Sequence, residues 1–359
     1  MSIRDGTAHD GSQLAAGTVS FTLVLPVYNE AEHLASNLKL LQSHLDTLSE
    51  RYRGEILIVD DGSSDGSADL AEEFATGKAH VRVLRHSRNF RVGQALRFAF
   101  PHCKTDYVVV FDADLSYSPD HIERLLDSIV ATKAKVVIAS PYMAGGSAKA
   151  VPRVRLLTSR AANRFLSLVS KSGVHTATGL VRAYDRRFLD SLNLKAMDNE
   201  INAEIIYKAE LLRGLIIEIP ADLDWSHLGK RRSSGMRMSR TTAGFAFSGF
   251  LFRPFIFFLI PGFVLGAVAI ALTIAILLSE DPGTGLALGA ALAALAAIQL
   301  LAAGLLSAQS KRYFEELFHL STSVRRRLAP EAEGPGEPAA DELNEPASSS
   351  SDDQTAAQL

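Results

Sequence analysis

One cysteine, Cys103, and one tryptophan, Trp225, are all that 359 positions hold of either residue. A lone cysteine excludes a disulfide framework within the chain and fits a reducing surround for its soluble part. Charge imbalance is also lacking: 37 Lys and Arg stand against 40 Asp and Glu, a net charge of −3. No global basic field therefore points to nucleic acid. The first twenty residues are polar and Gly/Ser/Asp-containing, without the apolar core of a secretory signal. There is no internal repeat. Charge is nearly absent from residues 254–307, and that local absence is the most informative one.

Composition divides the chain into segments. Residues 1–18 and the Pro/Glu/Ala/Ser/Asp-rich stretch 329–359 read as disordered termini. Residues 19–240 mix apolar, charged and turn residues as a globular domain does. Residues 241–253 form an interfacial segment, 254–307 a transmembrane hairpin and 308–328 a basic cytoplasmic segment.

The hairpin rests on two uncharged runs, 255–278 and 286–306, each long enough to cross a bilayer as a helix. Ser279-Glu280-Asp281-Pro282-Gly283 makes an acidic turn between them. Lys230, Arg231, Arg232, Arg237, Arg240 and Arg253 precede the first run, and Lys311, Arg312, Arg325, Arg326 and Arg327 follow the second. The turn has no Lys or Arg, so the positive-inside rule predicts a cytoplasmic catalytic domain and cytoplasmic termini. Gly262 with Gly266, and Gly285 with Gly289, are small-xxx-small pairs that allow close helix approach, within the hairpin or between subunits of a homo-oligomer.

Within the globular part, Val/Ile/Leu-dense runs at 21–27, 55–60, 81–84, 107–111 and 135–139 predict strands buried on both faces. Helical spacing fits residues 34–48, through Leu34, Leu38, Leu41, Leu45 and Leu48, with Asn29 as the N-cap. Further helices are predicted over 67–76, 93–100, 119–131, 154–170 and 200–212. The alternation predicts an α/β fold, a mostly parallel sheet with helices on both faces. Ligands in such sheets bind beyond the carboxyl ends of the strands.

Those ends are acidic. Pro26, Tyr28, Asn29 and Glu30 follow the first strand; Asp60, Asp61 and Asp65 follow the second; Asp112 and Asp114 follow the fourth. Carboxylates gathered on one sheet edge repel, and a divalent cation with a phosphate-bearing ligand offsets this. Asp112 and Asp114, two apart, are the metal-binding pair, for Mg2+ or Mn2+. Asp60 and Asp61 also fit a helix-capping turn before Ser67.

Leu25-Pro26-Val27-Tyr28-Asn29-Glu30, Val59-Asp60-Asp61-Gly62-Ser63-Ser64-Asp65 and Phe111-Asp112-Ala113-Asp114-Leu115 occur in that order. Together they resemble the nucleotide-sugar-binding set of glycosyltransferase family 2, which has the GT-A fold. The subgroup resembled is that of the dolichol-phosphate-mannose-synthase-like polyprenyl-phosphate glycosyltransferases, over residues 21–240. The resemblance implies that Pro26, Tyr28, Glu30 and Asp61 line the base and ribose site, with Asp60 beside them. It implies that Asp112 and Asp114 hold the metal and diphosphate. Arg155, Ser159 and Asn163 match an Arg-x-x-x-Ser-x-x-x-Asn pattern near the acceptor, which makes Arg155 and Ser159 catalytic candidates beside the two aspartates. Arg182, in the later strand-turn segment, and Arg232, in the basic run before the membrane, complete the expected acceptor-phosphate set. The chain departs from the subgroup at Ser116, where the mannose synthases carry Gln, and at Ser140-Pro141-Tyr142, where they carry Gly-Ser-Arg-Tyr. Arg88 or Arg91 is then the cation expected at the diphosphate.

The implied activity is inverting transfer of a hexose from a GDP- or UDP-linked sugar to a polyprenyl phosphate, dolichyl or undecaprenyl, at the cytoplasmic membrane face. Three other readings share these letters. Transfer to a glycolipid hydroxyl would need a general base, for which Glu200 and Glu204 are candidates. An inactive nucleotide-sugar-binding scaffold would keep the fold without turnover. Phe-Asp-Ala-Asp-Leu-Ser also resembles the nucleophile motif of haloacid-dehalogenase-like phosphohydrolases. There, however, it ends the first strand, and here three strands precede it. Trp225 reads as a core or interface aromatic, or as a contact to lipid or sugar.

Overall fold

The computed structural model describes residues 19–169, 173–226, 254–280 and 283–328. Nine strands and nine α-helices occupy them. The first half alternates β1 (Val19–Val27), α1 (Ala31–Thr47), β2 (Tyr52–Asp60), α2 (Ser67–Ala75), β3 (Val81–Arg85), α3 (Val92–Ala99), β4 (Tyr107–Val110), α4 (Asp120–Thr132) and β5 (Val136–Ser140). Then follow β6 (Ser147–Lys149), α5 (Arg153–Val169), β7 (Arg182–Asp185), α6 (Arg186–Ser191), α7 (Glu200–Leu211), β8 (Ile216–Pro220) and β9 (Asp222–Asp224). Two long helices close the described chain, α8 (Pro254–Leu278) and α9 (Thr284–Leu328).

Seven strands form one sheet in the order β3-β2-β1-β4-β7-β5-β8, and β6 pairs with β9 apart from it. All pairings in the large sheet are parallel except those of β7, which runs antiparallel to both β4 and β5. The five strands and six helices expected from sequence are all present, within a few residues. β7 takes up the later strand-turn segment at Arg182, while β6, β8 and β9 are strands that the hydrophobic runs do not predict.

Alternation along β1 explains the layering. Leu23, Leu25 and Val27 face α1 and α4, joining Leu34, Leu38, Leu41, Ile122 and Leu126 in one core. Val24 points the other way, to Ala95, Leu96, Ile205 and Ile206 on α3 and α7. Leu34, Leu38, Leu41 and Leu45 are the buried stripe of α1, as their spacing predicts.

Asn29 is not the N-cap of α1. That place falls to Glu30, whose side chain makes no capping bond. The Ala31 amide instead donates to Asp65 Oδ2 at 3.0 Å, from the loop after β2. Asn29, at φ 55°, ties the same loop by accepting from the Ser64 amide at 2.9 Å.

Stretches of α8 and α9, residues Phe257–Leu278 and Thr284–Leu317, are long and apolar enough to cross a membrane, and only 11% of each apolar window is buried. Apolar surface left this exposed suits a lipid surround. A Cβ added at Gly262 would approach Leu301 to 3.0 Å, and one at Gly304 would approach Leu259 to 3.0 Å, so these glycines set the distance between α8 and α9. Gly266 faces Ala297 at 3.9 Å, whereas Gly285 meets nothing. The first small-residue pair thus packs within the hairpin, and the second does so only through Gly289 and Leu272. Past its apolar part, α9 returns to the catalytic domain, where Lys311 Nζ lies 5.5 Å from the centre of the Tyr207 ring on α7.

Candidate active site

The sheet order makes the chain step outward from β1 to β3 and then return to β4, so strand order reverses between β1 and β4. Ladder pairing of β1 with β4 stops at Val24–Val110, while pairing with β2 continues through Pro26–Val59 to Val27–Asp60. Pro26 lies where β4 has already left the ladder, so its missing N–H breaks no bond on that side. The crevice opened there is where such sheets bind ligands. Tyr28, 47% exposed, and the half-buried Glu30 stand on its β1 side. Asp112 and Asp114 stand on its β4 side.

Asp112 and Asp114 lie in a turn past β4, not in the strand itself. The Leu115 amide donates to the Asp112 carbonyl at 3.2 Å, and Leu115 takes φ 55°. Ser116 joins the two carboxylates. Its amide donates to Asp114 Oδ1 at 2.9 Å, and its hydroxyl leans on Asp112 Oδ2 at 3.4 Å. Asn37 on α1 holds the turn from behind, donating to the Ala113 carbonyl at 2.9 Å. Burial, then the Asp112 carboxylate, pushes the Tyr117 phenol far above its usual value, so it stays neutral beside the pair.

Two hard carboxylates suit Mg2+ or Mn2+, ions that keep water and take most remaining ligands from substrate phosphates. Among the described residues no group of three or more His, Cys, Asp or Glu side chains is placed to hold a metal ion. A site completed by a diphosphate fits that donor set. A protein cage does not.

The second acidic loop is turned inward. Asp60 is fully buried, and its Oδ2 accepts from the Gly62 and Ser63 amides, each at 3.1 Å. Its Oδ1 has no hydrogen-bond partner among the described residues, a costly state that a donor from ligand or water relieves. Asp61, 4% exposed, accepts at Oδ1 from the Phe90 amide at 2.9 Å and at Oδ2 from the Arg91 amide at 2.7 Å. His86 Nδ1 lies 2.8 Å from Oδ1 as well. Asp61 thus holds residues 86–91 in place at the edge of the crevice where its contact with base or ribose is expected. Gly62 admits that loop: at φ +70° it lies so close to Arg88 that a Cβ would reach its backbone carbon at 2.3 Å. Of the two cations considered for the diphosphate, Arg88 rests over the Phe90 ring at 4.9 Å and Arg91 pairs with Asp198 at 2.6 Å.

The Arg-x-x-x-Ser-x-x-x-Asn pattern lies along α5. The Arg155 guanidinium stacks on Trp225 with its carbon 4.2 Å from the ring centre. The Ser159 hydroxyl accepts from Tyr142 at 2.9 Å and from Asn163 Nδ2 at 3.4 Å. Asn163 Oδ1 accepts from the amides of Ala177 and Thr178 at 2.8 and 3.0 Å. Arg182 does not reach this group as an anion site. It is 0% exposed and donates to the carbonyls of Thr176, Ala177, Gly179 and Asn202. Loss of solvation lowers its pKa, and its guanidinium is committed to building the 176–179 turn. Glu218 on β8, which the sequence did not single out, grips the same turn by accepting from the His175 and Thr176 amides at 2.7 and 2.8 Å. Arg232 and its basic neighbours 230–231 and 237 lie outside the described residues.

A sequence profile of the family described as glycosyl transferase family 2 matches residues 22–192. The chain is 31% identical over 220 residues to a polyprenol monophosphomannose synthase of Mycolicibacterium smegmatis, covering 59% of this chain and 80% of that protein. It is 40% identical over 114 residues to an undecaprenyl-phosphate 4-deoxy-4-formamido-L-arabinose transferase of Edwardsiella ictaluri, covering 31% of this chain and 34% of that one. Among solved structures, mannosyl-3-phosphoglycerate synthase from Rubrobacter xylanophilus is similar at 18% identity, with a TM-score of 0.49 over 65% of this chain and 74% of that one. With the acidic strand ends, the switch-point crevice and this shared sequence, the chain belongs to glycosyltransferase family 2.

Proposed function

We propose that the protein transfers a hexose from a GDP- or UDP-linked sugar to a polyprenyl phosphate at the cytoplasmic face of a membrane, with inversion at the anomeric carbon. The observation that carries this reading is one continuous set of contacts. The Asp112–Asp114 pair is joined through Ser116 to β9, and the residue next in chain, Trp225, stacks on Arg155. A place for a nucleoside diphosphate and a cation suited to a second phosphate thereby share one framework. The named activity of the mycobacterial relative supports the acceptor class.

A divalent cation held by Asp112 and Asp114 would stabilise the charge that develops on the leaving diphosphate. The chain's own residues do the rest. Tyr28 and Glu30 border the donor crevice. Asp61 fixes residues 86–91 against it. The lipid phosphate oxygen attacks the anomeric carbon as the bond from that carbon to the diphosphate oxygen breaks, so a nucleoside diphosphate departs and the configuration inverts. Near neutral pH a phosphate monoester is largely dianionic and needs no side chain to remove a proton. It needs placement, which the fork of Arg155 suits. Ser159 accepts from two donors, which uses its lone pairs and leaves its hydrogen to donate. Both helices of the apolar hairpin would keep the active site near its lipid substrate.

The test is incubation of the purified protein with a polyprenyl phosphate and a panel of nucleotide-sugars, with mass detection of the lipid product. A product carrying one added hexose on the phosphate is expected. Product only with a glycolipid hydroxyl would replace the acceptor assignment.

A further inference from the structure

The main chain connects Trp225 to the carboxylates of the proposed metal pair. The Asp224 amide donates to the Ser116 carbonyl at 2.8 Å, and the Trp225 amide donates to the Lys149 carbonyl at 3.1 Å. β6 and β9 pair in register through Lys149–Asp224, and a bridge from Tyr117 to Leu223 adds the other side. The Ser226 amide closes the turn on Asp224 Oδ1 at 2.8 Å. Trp225 is thus fixed at the end of a three-part ladder whose outer member is the Asp112–Ser116 turn. Its ring in turn carries Arg155 at 4.2 Å.

We infer that Trp225 is the positioning residue for acceptor-phosphate recognition: its ring fixes the plane and depth of the Arg155 guanidinium relative to the Asp112–Asp114 pair. The inference rests on the acceptor reading proposed above. The chemistry favours a flat aromatic here. Stacking engages the face of a guanidinium, whereas an oxyanion is bound by its edge, so the two contacts do not compete. Immobilising a long side chain on binding costs about 0.5–1.5 kcal/mol. Pre-stacking removes part of that cost and sets the distance between attacking phosphate and leaving diphosphate. An apolar residue of similar size fills the space without orienting the charge.

As the one tryptophan in the chain, Trp225 reports on itself by fluorescence. The test uses the full-length protein in detergent with farnesyl phosphate as a soluble prenyl phosphate. Saturable change in tryptophan emission is expected on titration, and Arg155→Ala should remove it. In turnover with polyprenyl phosphate, Trp225→Phe should keep the lipid KM within about threefold, since a phenyl ring still stacks. Trp225→Leu should raise that KM roughly fivefold, in line with the loss of an exposed cation–π contact, and leave donor Kd unchanged. Wild-type lipid product together with silent emission and an unchanged KM in Trp225→Leu would overturn the inference and spare the acceptor reading. Absence of any phosphate-linked lipid product from wild type would overturn that reading and the inference with it.

Discussion

Asp61 holds the amide of Arg91 at 2.7 Å, across thirty residues of sequence, and through it the whole 86–91 loop stands beside the donor crevice. The Phe90 amide shares the same carboxylate. Removing it takes the acceptor from the part-buried Phe90 amide and leaves the Arg91 amide with Asn89 Oδ1 alone, at 3.0 Å, where a buried donor left unmet costs about 1–3 kcal/mol. Asp61→Ala should therefore lower the thermal unfolding midpoint and weaken nucleotide-sugar binding together, and Asp61→Asn should fall between it and wild type. Thermal scans paired with donor titration decide it. Lost donor binding with an unchanged midpoint would leave Asp61 a ligand contact alone.

Asp114→Ala should remove turnover while leaving the unfolding midpoint within a few degrees, because it takes the Ser116 amide's acceptor from a part-buried turn and not from the core. EDTA should abolish wild-type activity and added Mg2+ or Mn2+ restore it. Activity assays with and without chelator check this; a chelated Asp114→Ala protein at full rate would sink the metal assignment.

A cysteine at Gly283, where an added Cβ meets nothing within 4 Å, should react with an impermeant thiol reagent outside intact cells. One placed in residues 329–359 should not. The native thiol does not interfere: Cys103 is 1% exposed, and burial pushes its pKa up to about 12. Reversed labelling would invert the proposed topology.

Glu204 is not poised as a base. Its oxygens accept from the Lys195 and Ala196 amides and pair with Lys208 at 2.6 Å. Glu204→Gln should cost stability, and Glu200→Gln should leave turnover and its pH profile unchanged. If either substitution erased an ascending pH limb at saturating lipid without loss of donor binding, the acceptor would be a hydroxyl.

Tyr52 gives a pH dependence of stability. Burial, then its hydrogen bond to Asp127, raises its pKa from 10.0 to about 12. The folded value lies above the unfolded one, so this contribution is fully present below pH 10 and fades between 10 and about 12. Denaturation midpoints for Tyr52→Phe should fall less steeply across that window than those of wild type. Parallel curves would remove Tyr52 from the account.

The doubly wound sheet was legible because buried parallel strands are continuous runs of Val, Ile and Leu, and because the Leu34-to-Leu45 spacing allows one reading. The acidic strand ends were legible for the same reason: strand order puts them on one edge. What the chain did not announce were contacts made across sequence. That Asp61 holds the Arg91 amide depends on where residue 91 comes to lie, and no local pattern encodes that. Arg182 reads as an acceptor-phosphate cation until the 176–179 turn folds around it. β6 and β9, three residues each, are too short for a periodicity to show.

Helix α9 is 45 residues long, which at about 1.5 Å per residue is more than twice the thickness of a bilayer core. The part that holds Lys311 against Tyr207 is therefore a rigid strut, and the strut behaves as a ruler. Adding one residue between the hairpin and Lys311 would turn the catalytic domain by about 100° about the helix axis. Adding four would lift it about 6 Å with little turn. Height above the lipid headgroups and compass direction are then separate dials, written into the residue count of a single helix.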